Sequence, residues 1–124
     1  MTANRLLWVL QLIGALIFIG HGFQLLNPSP QFAEMLGVLP FPKPFMNFIG
    51  IAEILGGIGL VLPALAKILP ELTPIAAICL ILIMLGAIGT HATRGEFPEV
   101  IGNLVIVAIL GAIAYGRLRI APLH

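Results

Sequence analysis

The chain has 124 residues, of which 60% are hydrophobic and only 9% are charged. Its mean hydropathy is +1.13, and soluble domains carry charge on about 25% of their residues. The composition therefore excludes a soluble globular domain and indicates an integral membrane protein. The formal net charge of +1 and the scattered basic residues argue against a nucleic-acid-binding surface.

Four apolar segments are each predicted to form a transmembrane helix, because a hydrocarbon core requires about 20 helical residues. They lie at residues 6–26, 45–65, 73–91 and 97–116. Arg5 precedes the first segment as in a signal peptide, but the apolar run is too long and no small-x-small cleavage pattern follows it. The predicted fold class is all-α, with residues 1–124 forming a single transmembrane domain built as a four-helix bundle.

The loop at residues 27–44 carries a helix signal of its own. Ser29-Pro30 is a typical cap and first turn, and the apolar residues that follow share one helical face. These residues are Phe32, Met35, Leu36 and Leu39. We expect a short interfacial helix in this first outer loop, which is either a lid or a spacer between two spans.

A proline and three sets of small residues are expected to shape the helix packing. Pro63 should end or kink the second helix. Small residues at four-residue spacing let helices approach closely in lipid. The sets are Ala52/Gly56, Gly86/Thr90 and Ala108/Ala112/Gly116.

The two halves of the chain resemble each other weakly. A Phe-Pro pair precedes an asparagine by the same spacing twice, at Asn47 and at Asn103. This echo suggests two tandem helical hairpins related by an axis along the membrane normal. Glu53 has no counterpart in the second hairpin, where Ala108 is the aligned residue.

The basic residues predict the orientation in the membrane. With four spans, both termini and the 66–72 loop share one side. That side carries Arg5, Lys67, Arg117 and Arg119, and the other side carries Lys43 and Arg94. The positive-inside rule then predicts a multi-pass protein of the inner (cytoplasmic) membrane with both termini in the cytoplasm.

Glu53 is the most informative residue, because it lies in the apolar stretch from Phe45 to Leu62. An acidic residue at the centre of a membrane helix costs roughly 2.5–3.5 kcal/mol, which favours a functional group with a partner. At 1.5 Å per residue, Glu53 is about 12 Å and His21 about 8 Å from the outer end of their helices. His21 is therefore the best available cation for this carboxylate.

Helix periodicity places the polar residues of the outer half on facing stripes. If the stripes of the first two helices face each other, six side chains line one pocket open to the outer side: His21, Gln24, Glu53, Asn47, His91 and Asn103. Glu53 and His21 would then be a catalytic pair that exchanges a proton with a polar ligand group such as a carbonyl. Gln24, Asn47, His91 and Asn103 would bind and orient the ligand.

Two other interpretations of the polar residues stay open. The His21 and Glu53 side chains could simply satisfy each other and hold two helices together. His21 and His91 could bracket a haem or a metal ion, although no close histidine spacing supports this and we assign no metal ligands. The single cysteine, Cys79, excludes an internal disulfide relay.

Several short motifs, in order, resemble the DoxX-like membrane proteins over almost the whole chain. Gly20-His21-Gly22-Phe23-Gln24 closes the first helix, Ala52-Glu53-Ile54-Leu55-Gly56-Gly57 lies in the second, and the third ends at His91. One departure is Leu25, where the family commonly has a lysine, so a cation at that place is in doubt.

The resemblance implies a bacterial four-helix protein associated with quinone or thiosulfate redox systems and with oxidative-stress complexes. It also implies His21, Gln24 and Glu53 as the functional polar set. We therefore expect a small apolar ligand, a quinone, and a role as a subunit of a quinone-linked oxidoreductase. The expected partners are membrane lipid, a membrane redox protein and further copies of the chain. The alternative is a non-catalytic subunit or assembly factor.

Overall fold

The computed structural model describes residues 2–37 and 41–123, without the side chains of residues 36 and 37. These residues form five α-helices and a terminal π-helical turn, with no strand among them, so the predicted all-α class and the short helix in the first loop are confirmed. The elements are α1 (Ala3–Leu26), α2 (Pro30–Gly37), α3 (Lys43–Ala66), α4 (Leu72–Thr93), α5 (Phe97–Tyr115) and the π turn (Gly116–Ile120).

The four long helices are apolar enough and long enough to cross a membrane, the last span being Phe97–Ile120 when the π turn is included. Their ends follow local signals. Thr2 caps α1 by accepting a hydrogen bond from the backbone nitrogen of Arg5, and α3 and α5 each have a proline in their first turn. Lys67 ends α3 in the left-handed conformation, with φ 56°. α1 begins at Ala3 rather than at residue 6 because this cap extends it.

Pro63 does not end α3, which continues to Ala66. A proline lacks the N–H that would bond to the carbonyl four residues earlier, which here belongs to Gly59. The Thr73 hydroxyl on α4 donates to that oxygen at 3.2 Å, and the Gln11 amide on α1 donates to the neighbouring Leu60 oxygen at 2.6 Å. The carbonyls around the proline are thus used to join α3 to both neighbouring helices.

The long helices form a ring in which α1 packs on α3, α3 on α4, α4 on α5, and α5 on α1. The contacts are most extensive within the hairpins α1–α3 and α4–α5. Neighbouring helices run in opposite directions, so the start of α1, the end of the π turn and the 67–71 loop lie at one end of the bundle, called the terminal end. The other end, which carries α2 and residues 94–96, is called the α2 end.

The core occupies the middle of the bundle and its terminal half. Fully buried apolar side chains from all four long helices meet there: Phe18, Leu60, Leu80, Leu110 and Ile113. The two hairpins touch in this half at small residues. A Cβ on Gly56 would lie 2.6 Å from Leu80, and one on Gly59 would lie 2.9 Å from Ala76. At the α2 end the hairpins instead enclose a cleft.

The predicted small-residue contacts are only partly present. Gly56 packs on Leu80 and Gly116 packs on Leu7, but no atom lies within 4 Å of a Cβ built on Gly86. Ala108 and Ala112 are exposed on the bundle surface. That surface is strongly apolar, with exposed side chains such as Leu16, Phe48, Leu55, Leu85 and Ile101, as expected of helices that face lipid.

Candidate functional site

The structure brings His21 of α1 and Glu53 of α3 into direct contact. His21 Nδ1 lies 2.9 Å from one carboxylate oxygen of Glu53 and 3.1 Å from the other. The Glu53 side chain is 1% exposed, whereas that of His21 is 47% exposed. The buried carboxylate therefore reaches open space through a histidine whose Nε2 makes no hydrogen bond with the described residues.

Two glycines allow this contact by letting α1 and α3 approach closely. A Cβ on Gly22 would lie 2.5 Å from the Gly50 carbonyl oxygen, and a Cβ on Gly50 would lie 2.9 Å from that of Gly22. Close backbone approach at small residues is the usual basis of helix association in lipid. Gly22 follows His21 directly, and Gly50 is one turn from Glu53, so the glycine contact fixes the geometry of the pair.

A cleft of about 960 Å³ opens beside this pair, between the two hairpins and under α2. Its lining is mainly apolar, from residues such as Phe45, Ile49 and Ile83. Its polar residues are His21, Glu53, Thr90, His91, Glu96, Glu99 and Asn103. A smaller cavity of about 120 Å³ is bounded by His21, Glu53, His91 and Asn103 on its polar side and by core residues on the other.

A second histidine–carboxylate pair lies at the α2 end of the cleft. His91 Nδ1 donates to Glu96 Oε1 at 2.9 Å, and Arg94 Nε donates to the same oxygen at 3.1 Å. The His91 hydrogen bond is the main cause that lowers the pKa of the Glu96 carboxyl below its ordinary value, and Arg94 lowers it further. Both side chains of the pair are partly exposed, at 27% and 34%.

Four of the six predicted site residues line the cleft, namely His21, Glu53, His91 and Asn103. Gln24 and Asn47 lie outside it. The Gln24 side-chain oxygen accepts a hydrogen bond from the Ser29 backbone nitrogen at 3.1 Å, which fixes the turn into α2. The Asn47 side-chain oxygen is buried and has no hydrogen-bond partner within the described residues.

The helix α2 covers part of the cleft, as a lid would. Phe32 and Met35 line the cleft, and the Phe32 ring meets the His21 ring edge-on at 5.7 Å. Leu39 and the side chain of Leu36, the rest of the predicted apolar face, lie outside the described residues. Lys43, at the start of α3, donates from Nζ to the Leu25 carbonyl at 3.0 Å. A positive charge therefore lies next to residue 25, although that residue is itself a leucine.

Sequence reasoning missed a polar network at the terminal end. Arg117 is 3% exposed, and its guanidinium donates to the side-chain oxygens of Gln11 at 2.7 Å and Asn4 at 2.8 Å. It also bonds to the Ala121 carbonyl and lies over the Trp8 ring. None of the described carboxylates forms an ion pair with it. The sequence feature that could have indicated this network is Gln11, a polar residue on the same buried face of α1 as Phe18.

No group of three or more His, Cys, Asp or Glu side chains within residues 2–37 and 41–123 is arranged to hold a metal ion. His21 and His91 are each engaged by a carboxylate at Nδ1. The chemistry that this arrangement offers is proton exchange and hydrogen bonding toward a molecule in the cleft.

Four apolar spans around a mainly apolar cleft, which opens at the α2 end and has a few polar groups in its wall, define a small helical integral membrane protein with a candidate ligand site. The chain matches the sequence profile of the DoxX-like family over residues 9–113, and it belongs to that family. No curated protein and no solved structure matches the chain.

Proposed function

We propose that this DoxX-like protein binds a small apolar ligand with polar handles, a quinone, in the cleft at the α2 end, as part of a membrane redox or oxidative-stress system. The observation that carries the proposal is Glu53, a carboxyl group that is 1% exposed and paired with a histidine that opens on an apolar cleft. Burying a carboxylate is a poor way to gain stability even when it is paired, so a ligand role explains the pair better.

The cleft suits a quinone in size and chemistry. Its volume of about 960 Å³ lies within the range of roughly 300–1,000 Å³ typical of small-molecule sites, which combine apolar walls with a few polar groups. A quinone ring has apolar faces and two carbonyl oxygens that accept hydrogen bonds. Imidazole N–H and amide N–H groups are suitable donors, and His21, His91 and Asn103 carry such groups in the cleft.

The proposed chemistry is proton supply to the bound ring. Reduction of a quinone to a quinol takes up two electrons and two protons and converts each carbonyl into a hydroxyl group. The Glu53 and His21 pair would give protons to the carbonyl oxygens and regain them from water, while His91 and Asn103 would orient the ring. The electrons would come from a partner redox protein in the membrane.

Glu53→Gln tests this function, because it keeps the shape and a hydrogen-bonding group but cannot exchange a proton in the same way. The probe is a decyl-tailed ubiquinone titrated into the protein in lipid nanodiscs. Binding should weaken at least about tenfold, or 1.4 kcal/mol, while the unfolding midpoint stays near that of the parent. Glu71→Gln is the matched control, because Glu71 is an exposed residue at the terminal end.

A non-catalytic subunit or assembly factor is the second candidate, and the glycine contact favours it. The pair lies beside the close approach of Gly22 and Gly50, where a hydrogen bond between α1 and α3 could serve packing alone. In that case the parent protein would not bind the quinone, and Glu53→Gln would be strongly destabilised. That combined result would contradict the ligand proposal.

For the location we propose the inner membrane, with the terminal end of the bundle in the cytoplasm. The support is the excess of basic residues at that end, which is four against two at the α2 end. Thr2→Cys and Leu123→Cys, each in a Cys79→Ser background, should resist a membrane-impermeant maleimide in intact cells and react after permeabilisation. Labelling in intact cells would invert the assignment.

A further inference from the structure

The facing sides of α3 and α4 are packed in the terminal half of the bundle and separate toward the α2 end. A Cβ on Gly56 or Gly59 of α3 would lie 2.6 or 2.9 Å from a side chain of α4, which for Gly59 is that of Ala76. Residues seven positions apart share a helix face, so Ile49 lies on the side of Gly56, and Ile83 on the side of Ala76. Both isoleucines line the cleft. The two faces that pack together below therefore become the walls of a groove above.

This α3–α4 groove has an almost wholly apolar wall. It is the part of the cleft that is lined by Phe45, Ile49, Leu82, Ile83, Gly86 and Thr90. Thr90 carries the one polar side chain of this set, and its hydroxyl donates to the Gly86 carbonyl of its own helix at 3.0 Å. The groove therefore offers hydrocarbon contacts to a ligand and no free hydrogen-bond donor from these side chains.

The polar groups around Glu53 lie away from the groove, toward α1 and α5. Glu53 bonds to His21 of α1, and both bound the small cavity of about 120 Å³ together with His91 and Asn103. None of the six groove residues lines that cavity. The cleft is thus amphipathic across its width, with hydrogen-bonding groups on one side and apolar walls on the other.

The groove continues onto the lipid-facing surface of the bundle. Leu82 lines the groove, whereas Ile78 and Leu85, one turn away on either side, are exposed and do not line the cleft. Phe45 likewise stands one turn before Phe48, which is 65% exposed and outside the cleft. Both helices are apolar spans, so this surface faces lipid chains. The groove therefore opens sideways between α3 and α4 into the hydrocarbon of the membrane.

We propose that the α3–α4 groove binds the hydrocarbon tail of a ligand whose polar head lies at the His21–Glu53 pair. The ligand class is then a membrane-borne lipid with a long alkyl or isoprenoid tail, and not a water-soluble ring compound. The head takes hydrogen bonds on the polar side of the cleft, and the tail passes Gly86 and Leu82 and continues among the lipid chains. The identity of the head rests on the proposed function, whereas the groove requires only a hydrocarbon chain.

Gly86→Phe tests the position of the tail. No atom lies within 4 Å of a Cβ built on Gly86, so the ring would occupy the groove without displacing a neighbour. The probes are decyl-tailed ubiquinone and the same quinone ring without the tail, each titrated into the protein in lipid nanodiscs. Gly86→Phe should weaken binding of the tailed probe at least about tenfold and leave binding of the tail-less ring near the parent value.

Gly89→Phe is the matched control, because Gly89 also has no atom within 4 Å of its Cβ position but does not line the cleft. It should bind both probes as the parent does. Partition of each probe into the lipid is the same for every variant, so the comparison isolates the groove. Equal weakening of both probes by Gly86→Phe would place the ring in the groove and overturn the proposal, as would unchanged binding of the tailed probe.

A measurement without quinone separates this proposal from the proposed function. In methyl NMR of ¹³C-isoleucine-labelled protein in lipid nanodiscs, the Ile83 methyl groups should show nuclear Overhauser contacts with lipid chain protons, because hydrocarbon enters a groove that opens to the membrane. Ile83→Val assigns the signals, and Gly86→Phe should remove these contacts. Contacts with water protons alone would overturn the proposal. Lipid-chain contacts without binding of either probe would support the groove and contradict the quinone function.

Discussion

At the scale of single residues, the surroundings of a glycine decide whether a larger side chain could replace its hydrogen atom. Gly20 and Gly22 lie two residues apart in α1, yet no atom lies within 4 Å of a Cβ built on Gly20, whereas one on Gly22 would lie 2.5 Å from the Gly50 carbonyl oxygen. A backbone oxygen inside a helix cannot move aside as a flexible side chain can. The α1–α3 contact therefore depends on Gly22 and not on Gly20.

We expect Gly22→Ala to lower the free energy of unfolding by about 1–3 kcal/mol, the usual cost of overpacking. Gly20→Ala should change it by less than about 0.5 kcal/mol, as for other exposed positions. Denaturant unfolding of the two variants in the same detergent makes the comparison. Equal effects would show that α1 and α3 are not held in this close contact.

The Glu96 carboxyl gives a prediction about pH. Its pKa lies below the ordinary value of 4.5, chiefly because of the His91 hydrogen bond. The loop interaction is therefore complete above the ordinary value and is lost as the pH falls through the lower folded-state pKa. In an NMR titration of the Glu96 carboxyl carbon, His91→Gln should raise this pKa toward the ordinary value by more than Arg94→Gln does. The reverse order would contradict the assigned cause.

The sequence predicted the contact of His21 with Glu53 because both are rare polar residues at similar depth, and depth follows directly from residue count. Gln24 lies on the same stripe of α1 as His21, but its side-chain oxygen accepts a hydrogen bond from the Ser29 backbone nitrogen. Helix periodicity gives no information on such a bond. Arg117 was interpreted only as a charge that sets orientation. Its burial depends on Gln11 and Asn4, more than a hundred positions away, and no local pattern indicates such a partner.

At the scale of the helices, Pro63 connects α3 to α4. A proline in a membrane helix leaves a carbonyl that needs another donor, and Thr73 provides the donor for Gly59. Thr73 is fully buried at the start of α4, where a hydroxyl without a partner would be costly. The hydropathy pattern predicted both helices but contained no information on this bond between them.

We expect the effect of Thr73→Val to depend on Pro63. In the parent, Thr73→Val removes an interhelical hydrogen bond and should cost about 0.6–1.7 kcal/mol. In a Pro63→Ala background the alanine N–H can bond to the Gly59 carbonyl, so the same substitution should cost less. A double-mutant cycle by unfolding in detergent measures the coupling. The same cost in both backgrounds would show that Thr73 does not replace the missing proline N–H.

At the scale of the whole molecule, stability and the candidate site occupy different halves of the bundle. The core side chains and the small-residue contacts between hairpins lie in the middle and the terminal half. At the α2 end, residues from both hairpins face a cleft of about 960 Å³. Composition predicted the four spans, but it could not predict that the hairpins diverge, since most side chains of the cleft lining are as apolar as those that face lipid.

This separation predicts that filling the cleft changes binding without lowering stability. Gly102 lines the cleft, and no atom lies within 4 Å of a Cβ built there. Gly102→Phe should therefore place its ring in the space proposed for the quinone and weaken decyl-ubiquinone binding at least about tenfold. Its unfolding midpoint should stay at or above that of the parent, because the ring buries apolar surface without displacing neighbours.

Gly111→Phe is the control, because Gly111 also has no atom within 4 Å of its Cβ position but does not line the cleft. It should bind the probe as the parent does. If Gly102→Phe were destabilised as strongly as Gly22→Ala, the α2 end would be a packed interface and not an open cleft. If Gly102→Phe were stable and still bound the probe, the quinone would have to lie elsewhere on the protein, and Glu53 would not contact it.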